Sequence, residues 1–280
     1  MTKIDCYAAF AAYDADRQIL YFKSVVGSIE EALKCQKKIR SAKVLICGVG
    51  GVGSYIFNTL SAMGLSEIRF IDFDSVEESN VTRQILYKHD DIGRLKVDVA
   101  YEKGPLTSPN TKFVKFNKRI SKLADLDEMA KGVDLIISSM DNPRPYTQFL
   151  INEFCLSVGI PFCQGGTMSD YVAIGPFVQP GKTLCHRCTW NSWHIREADE
   201  PDLVKSVREN NGTAVIHPVN MMAASFMTNM AVQYLTGMVE TPIGTNKGYL
   251  LHLREPLTFE EITNNGEICP VCENVKQSNG

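Results

Sequence analysis

Residues Ala42 to Asp74 read A-K-V-L-I-C-G-V-G-G-V-G-S-Y-I-F-N-T-L-S-A-M-G-L-S-E-I-R-F-I-D-F-D, and the order of parts, strand then glycine turn then helix then strand, decides the fold. Val44 to Cys47 is a short apolar run suited to a buried parallel strand, and Gly48, Gly50 and Gly53 follow it in G-x-G-x-x-G spacing. Gly48 permits the tight turn, Gly50 lets backbone approach a phosphate, and Gly53 lets the next helix lie close to the strand. The helix start then presents free N–H groups to an anion. A second apolar run, Ile68 to Ile71, ends at Asp72, where a carboxylate at a strand tip can accept hydrogen bonds from ribose hydroxyls. The alternative is a merely structural glycine turn, but the flanking strand, helix and acidic residue are all present, which favours a nucleotide site.

Further along, Lys112 to Phe116, Val133 to Ser139, Pro161 to Gln164 and Tyr171 to Val178 read as strands. Lys96 to Gly104, Leu123 to Lys131, Tyr146 to Val158 and Val219 to Leu235 read as helices, and Tyr249 to Leu253 and Leu257 to Glu261 as late strands. Upstream, Ser28 with Glu31 three residues on is a capping signal. This alternation predicts an α/β, Rossmann-like, mostly parallel sheet with helices on both faces. The expected organisation is an N-terminal arm and helix over 1–40, the main domain over 41–274 with a loop at about 189–215, and a tail over 275–280.

Composition narrows the classes. The 280 residues carry 29 basic and 32 acidic side chains, a net charge of -3, so no bulk attraction to nucleic acid or an anionic membrane is expected. No run of 18 apolar residues exists, and Asp5, Asp14 and Asp16 stand where a signal peptide needs a basic then an apolar run, which predicts a cytoplasmic protein. Of nine cysteines, four form two C-x-x-C pairs, Cys185/Cys188 and Cys269/Cys272; in a reducing compartment they point to tetrahedral Zn²⁺ rather than disulfides. His186, inside the first pair, is expected to face solvent. Cys163 is weighed as a nucleophile and read as a core thiol.

The glycine turn leaves the nucleotide open between NAD(P), hence an oxidoreductase, and ATP. No G-x-x-x-x-G-K-[ST] is present, which excludes a P-loop ATPase. Arg83 and Lys96 suit a triphosphate, and Asp141, at the end of a buried strand, suits Mg²⁺.

Six motifs occur in order: Gly48-Val49-Gly50-Gly51-Val52-Gly53, Asp72-Phe73-Asp74, Ser79-Asn80-Val81-Thr82-Arg83-Gln84, Gly93-Arg94-Leu95-Lys96, Met140-Asp141-Asn142 and the paired C-x-x-C. Together with Asp16-Arg17-Gln18 they resemble the ThiF/MoeB/HesA family of E1-like adenylating enzymes. The resemblance implies that Gly48, Gly50, Gly51 and Gly53 cradle ATP and that Asp72 holds the ribose, with Asp74 a turn acid beside it. It further implies that Asn80, Arg83 and Gln84 take the phosphates, that Lys96 takes the phosphates and the charge of departing pyrophosphate, and that Asp141 holds Mg²⁺. Arg17 would reach the ATP of a partner subunit, hence a homodimer, and Cys185, Cys188, Cys269 and Cys272 would hold a structural zinc. The chain departs from many E1-like enzymes in having no cysteine between Cys188 and Cys269. Adenylation without a thioester resembles the peptide-modifying branch, of microcin C7 or pantocin type. The implied substrate is the carboxylate of a ribosomally made peptide or ubiquitin-like protein. A sulfur-carrier adenylyltransferase is the neighbouring alternative, and a non-catalytic E1-like scaffold would have lost the ATP residues.

Overall fold

The computed structural model describes residues 16–140, 146–168, 171–190, 215–264, 269 and 271–272. Eight strands form one sheet in the order β3-β2-β1-β4-β5-β6-β7-β8: β1 Lys43–Cys47, β2 Glu67–Asp72, β3 Lys112–Asn117, β4 Leu135–Ser138, β5 Phe162–Met168, β6 Tyr171–Val178, β7 Gly248–His252 and β8 Thr258–Ile262. The five strands from β3 to β5 run parallel, and β6, β7 and β8 continue the sheet antiparallel. The order reverses at β1, which lies between β2 and β4. That reversal opens a crevice at the carboxyl ends of β1 and β4, where doubly wound sheets bind ligands.

The longer helices among the described residues are α1 Asp16–Val26, α2 Ile29–Ser41, α3 Gly51–Met63, α4 Lys96–Thr107, α5 Tyr146–Val158 and α6 His217–Thr236. Strand β1 explains the layering. Val44 and Ile46 turn to a core shared with α1, α2, α3, α4 and α6, whereas Leu45 and Cys47 turn to a second core shared with α5. Both faces are covered, so the strand is an unbroken apolar run. The described part of the 1–40 segment packs into the main core: Ile19 and Phe22 of α1 and Ile39 of α2 are fully buried there. Ser28 caps α2 as read, its hydroxyl accepting the Glu31 N–H at 3.2 Å.

One local expectation changes. The helix expected over Leu123 to Lys131 is a 3₁₀ turn, Leu123–Asp125, followed by one α-turn, Asp127–Ala130. Asp125 causes the break, because its carboxylate accepts the Ser121 and Lys122 N–H groups and draws the chain into a turn. The loop at 189–215 and the tail at 275–280 fall outside the described residues, apart from Thr189, Trp190 and Val215.

The glycine turn is held at two points. Gly48 adopts φ +88°, and its N–H donates to the Ile71 carbonyl at 2.8 Å. A Cβ on Gly53 would lie 1.9 Å from the Gly48 carbonyl oxygen, so α3 crosses over β1 with no room for a methyl group. Substituting Gly53→Ala therefore should lower the unfolding free energy by more than about 3 kcal/mol, a magnitude reserved for core clashes and comparable defects. Urea denaturation measures it, and a loss below about 1 kcal/mol would show that the close approach is not required.

Candidate nucleotide site and cysteine cluster

A cavity of about 250 Å³ opens at the crevice, and its walls come from elements far apart in sequence. One wall is the glycine turn, with Gly48, Gly50 and Gly51. Asp72, Phe73 and Asp74 follow from the tip of β2, and Arg83, Gln84 and Lys96 from the polar stretch after it. Ser139 and Met140 close the end of β4, while Gly165 to Thr167, Gln148 and Asn220 form the opposite side.

Asp72 ties the first two walls together. Its carboxylate accepts the Val49 N–H at 2.9 Å and the Asp74 N–H at 3.0 Å, so the strand tip holds the glycine turn. A carboxylate has about four lone-pair sites, which leaves acceptors for a ribose hydroxyl. Burial pushes the Asp72 pKa up, and the Lys96 ammonium opposes the shift. Lys96 is itself buried and donates to the exposed Asp74 carboxylate at 2.9 Å. A short antiparallel bridge, Ser75 to Leu95, folds the stretch back so that Lys96 meets Asp74 despite 21 intervening residues.

Within that stretch Asn80 works as a cap. Its side-chain oxygen accepts the Glu77 N–H at 3.2 Å at the start of the one-turn helix Glu78–Val81, and it does not line the cavity. The turn sets up the next two residues, since the Arg83 and Gln84 N–H groups both donate to the Asn80 carbonyl. Arg83 donates to the Ser79 carbonyl, and Gln84 presents a buried oxygen with no hydrogen-bond partner among the described residues. Gln148 on α5 has a second such oxygen. Buried polar atoms left unpaired at a cavity wall suit a site whose partner is a ligand.

Gly53 stands behind the turn as a packing residue, and Arg17 is exposed on α1, apart from the cavity walls. Asp141 lies outside the described residues, one position after the wall residue Met140. Sequence reading did not single out Gln148, Thr167 and Asn220. Their only local signal is a polar residue on a largely apolar helix or strand, and α5, β5 and α6 bring them in from long range.

The four paired cysteines meet as read. Their sulfurs all lie within 4.8 Å of one another, with Cys185 to Cys188 at 3.7 Å, Cys185 to Cys269 at 3.8 Å and Cys188 to Cys272 at 3.6 Å. Four sulfurs about 2.3 Å from a central zinc ion sit about 3.8 Å apart, so the cluster has the dimensions of a tetrahedral metal site. Hydrogen bonds from Cys185 and Cys188 hold the Cys272 thiol well below its ordinary value, while Cys185 and Cys188 are themselves pushed up within the cluster. His186 is buried, contrary to the solvent-facing expectation: its N–H donates to the Asn152 side chain at 2.9 Å and its ring packs near Phe149 and Trp190. Cys163 is a core thiol, fully buried and pushed up to about 12 by burial. Among the described residues no helix is long and apolar enough to cross a membrane.

A model of the ThiF family matches residues 16–274. The sulfur carrier protein ThiS adenylyltransferase of Escherichia coli is 26% identical over 229 residues, which are 82% of this chain and 86% of that protein. The adenylyltransferase and sulfurtransferase UBA4 of Lodderomyces elongisporus is 30% identical over 214 residues, 74% of this chain and 43% of that protein. The chain thus spans less than half the length of the fungal UBA4 relatives it matches. Among solved structures, E. coli MccB superimposes with a TM-score of 0.79 at 25% identity, over 93% of this chain and 72% of that one. MccB with ATP superimposes with a TM-score of 0.77 at 26% identity, over 90% of this chain and 72% of that one.

The Asp72 and Lys96 geometry yields a stability prediction. An acid whose folded pKa is raised contributes stability that is present below its unfolded value, near 4, and lost as the pH rises through the folded value. Without the Lys96 charge the Asp72 pKa rises further, so the stability deficit of Lys96→Met should grow as the pH rises from 4 to 8. Thermal melts across that range test it; a deficit constant with pH would mean that Lys96 does not offset the Asp72 charge.

Proposed function

The chain belongs to the ThiF family, and we propose that it is an ATP-dependent adenylyltransferase that activates the carboxylate of a ribosomally made peptide as an acyl-adenylate. The observation that carries this reading is the cavity itself, lined by a glycine turn, a strand-tip carboxylate, two cations and two glutamines whose buried carboxamide oxygens have no partner among the described residues.

ATP would lie along the glycine turn, with its ribose at Asp72 and its phosphates at the turn's N–H groups, Arg83, Gln84 and Lys96. The substrate carboxylate oxygen attacks the α-phosphorus, a P–O bond forms, and the bond to pyrophosphate breaks. Lys96 and Arg83 neutralise the charge that builds on the departing pyrophosphate, and the walls fix the line of attack. Bound Mg²⁺ would share that charge. Asp141 is its proposed ligand, since a carboxylate directly after the wall residue Met140 is the oxygen donor a hard cation wants. A catalytic-cysteine thioester is not part of the scheme. No cysteine separates Cys188 from Cys269, and burial pushes the Cys47, Cys155 and Cys163 thiols far from thiolate character at neutral pH. The cysteine cluster is proposed to hold a structural Zn²⁺, because four sulfurs leave no open position for chemistry. Arg17, exposed on α1, is proposed to serve the site of a second copy in a homodimer.

The peptide reading is supported by the 93% of this chain that superimposes on MccB, and by the MccB structure with MccA, which matches with a TM-score of 0.78. A second reading, adenylation of a small sulfur-carrier protein, is supported by the relationship to the ThiS adenylyltransferase. The named relatives favour nucleotidyl transfer over the hydride transfer of an NAD(P) enzyme.

ATP–pyrophosphate exchange tests these assignments. It should require a peptide with a free carboxylate, be carried by a protein that sediments as a dimer, and fall about 10²-fold or more in Arg83→Ala, Lys96→Ala and Asp141→Asn. Exchange supported only by a Gly-Gly-ending carrier protein would favour the second reading, and variants within threefold of the native rate would remove the proposed roles. For the metal, elemental analysis should find one zinc per chain, and Cys272→Ser should lose it together with several degrees of melting temperature. A metal-free native protein with an unchanged melt would refute the zinc site.

A further inference from the structure

Asn220, in the first turn of α6, is 1% exposed and lines the cavity, yet the roles proposed so far leave it unused. Its carboxamide makes two hydrogen bonds to other walls. The Nδ2 group donates to the backbone carbonyl of Arg83 at 3.1 Å, across 137 residues of sequence. The Oδ1 atom accepts the Thr167 hydroxyl at 3.1 Å. Thr167 is itself buried, on the wall built by β5. The same carboxamide presses on the glycine turn, where a Cβ on Gly51 would lie 2.9 Å from Nδ2.

A carboxamide offers a donor and an acceptor in one rigid plane, and asparagine is the shorter of the two residues that carry one. An aspartate here would set a carboxylate oxygen against the Arg83 carbonyl oxygen, two acceptors with no proton between them. An alanine would leave the Arg83 carbonyl and the Thr167 hydroxyl unpaired. The side chains of Arg83 and Gln84 extend from the backbone that Asn220 holds, and both residues line the same cavity as the glycine turn.

We propose that Asn220 is a positioning residue for the triphosphate: its carboxamide fixes the Arg83 backbone against the glycine turn and β5, so that the Arg83 side chain meets the phosphates at the correct distance. This inference rests on the reading of the cavity as an ATP site. It requires no carboxylate substrate to test, because it concerns the part of nucleotide affinity that the β- and γ-phosphates supply.

The experiment is fluorescence titration of the full chain with ATP and with AMP, in Mg²⁺, for the native protein and for the Asn220→Ala, Asn220→Asp and Arg83→Ala variants. Asn220→Ala and Asn220→Asp should each weaken ATP binding at least tenfold while AMP binding stays within twofold, as in Arg83→Ala. Adding Asn220→Ala to Arg83→Ala should weaken ATP binding no more than twofold further, because the two residues act through one contact. Retained AMP affinity shows that each variant is folded, and Asn220→Asp, which keeps the side-chain shape, serves where Asn220→Ala does not fold. A native preference for ATP that survives in both Asn220 variants would overturn the inference alone. So would losses of ATP and AMP affinity by equal factors, or fully additive losses in the double variant. Equal affinity of the native protein for ATP and AMP would remove the ATP reading instead.

Discussion

The site depends on one carboxylate. Asp72 ends β2 and accepts the N–H of Val49 in the glycine turn and of Asp74 in the segment that follows. Hydrogen bonds to an ionised group contribute roughly 1.5–3 kcal/mol each, which is large against the few kcal/mol that separate folded from unfolded protein. With that tie in place, the turn is fixed to the sheet and the chain leaves β2 in the direction that carries Lys96 back to Asp74. The turn, the acid and the cation therefore form one rigid corner of the cavity.

The remaining walls come from the topology. Strands β1 and β4 are neighbours although 87 residues lie between them, and their carboxyl ends open side by side because the strand order reverses at β1. Helix α6 then crosses behind, from its first turn at Asn220 to a buried end near α2, where the Lys38 ammonium donates to the Thr236 carbonyl at 2.7 Å. A cation at that end also suits the helix dipole. The helix that delivers a polar group to the cavity is thus anchored at its far end by the N-terminal part of the chain.

Features that depend on local geometry were legible in the sequence. The glycine spacing, the acid at the strand tip and the apolar runs report constraints within a few residues, and the strands and the cavity stand where those signals put them. The cysteine pairs were legible because C-x-x-C is the spacing a tetrahedral metal site requires, and their four sulfurs do converge. What remained illegible depends on packing between distant segments. Thr167 and Asn220 meet across 53 residues, and neither carries a turn, a charge or a motif that announces the contact. His186 was misplaced for a related reason: its environment is set by Asn152 on another helix rather than by the cysteines beside it. Asn80 illustrates a subtler limit, since a residue in a binding motif can act by shaping the backbone that presents its neighbours.

Helix α5 joins two parts that share no residue. Gln148 lines the cavity and Asn152, one turn further on, accepts the backbone N–H of His186 between the first two cysteines. The rise between them is about 6 Å, fixed by helix geometry. The helix is therefore a common ruler: an axial slide of α5 cannot move the cysteine loop without shifting the cavity wall by the same distance.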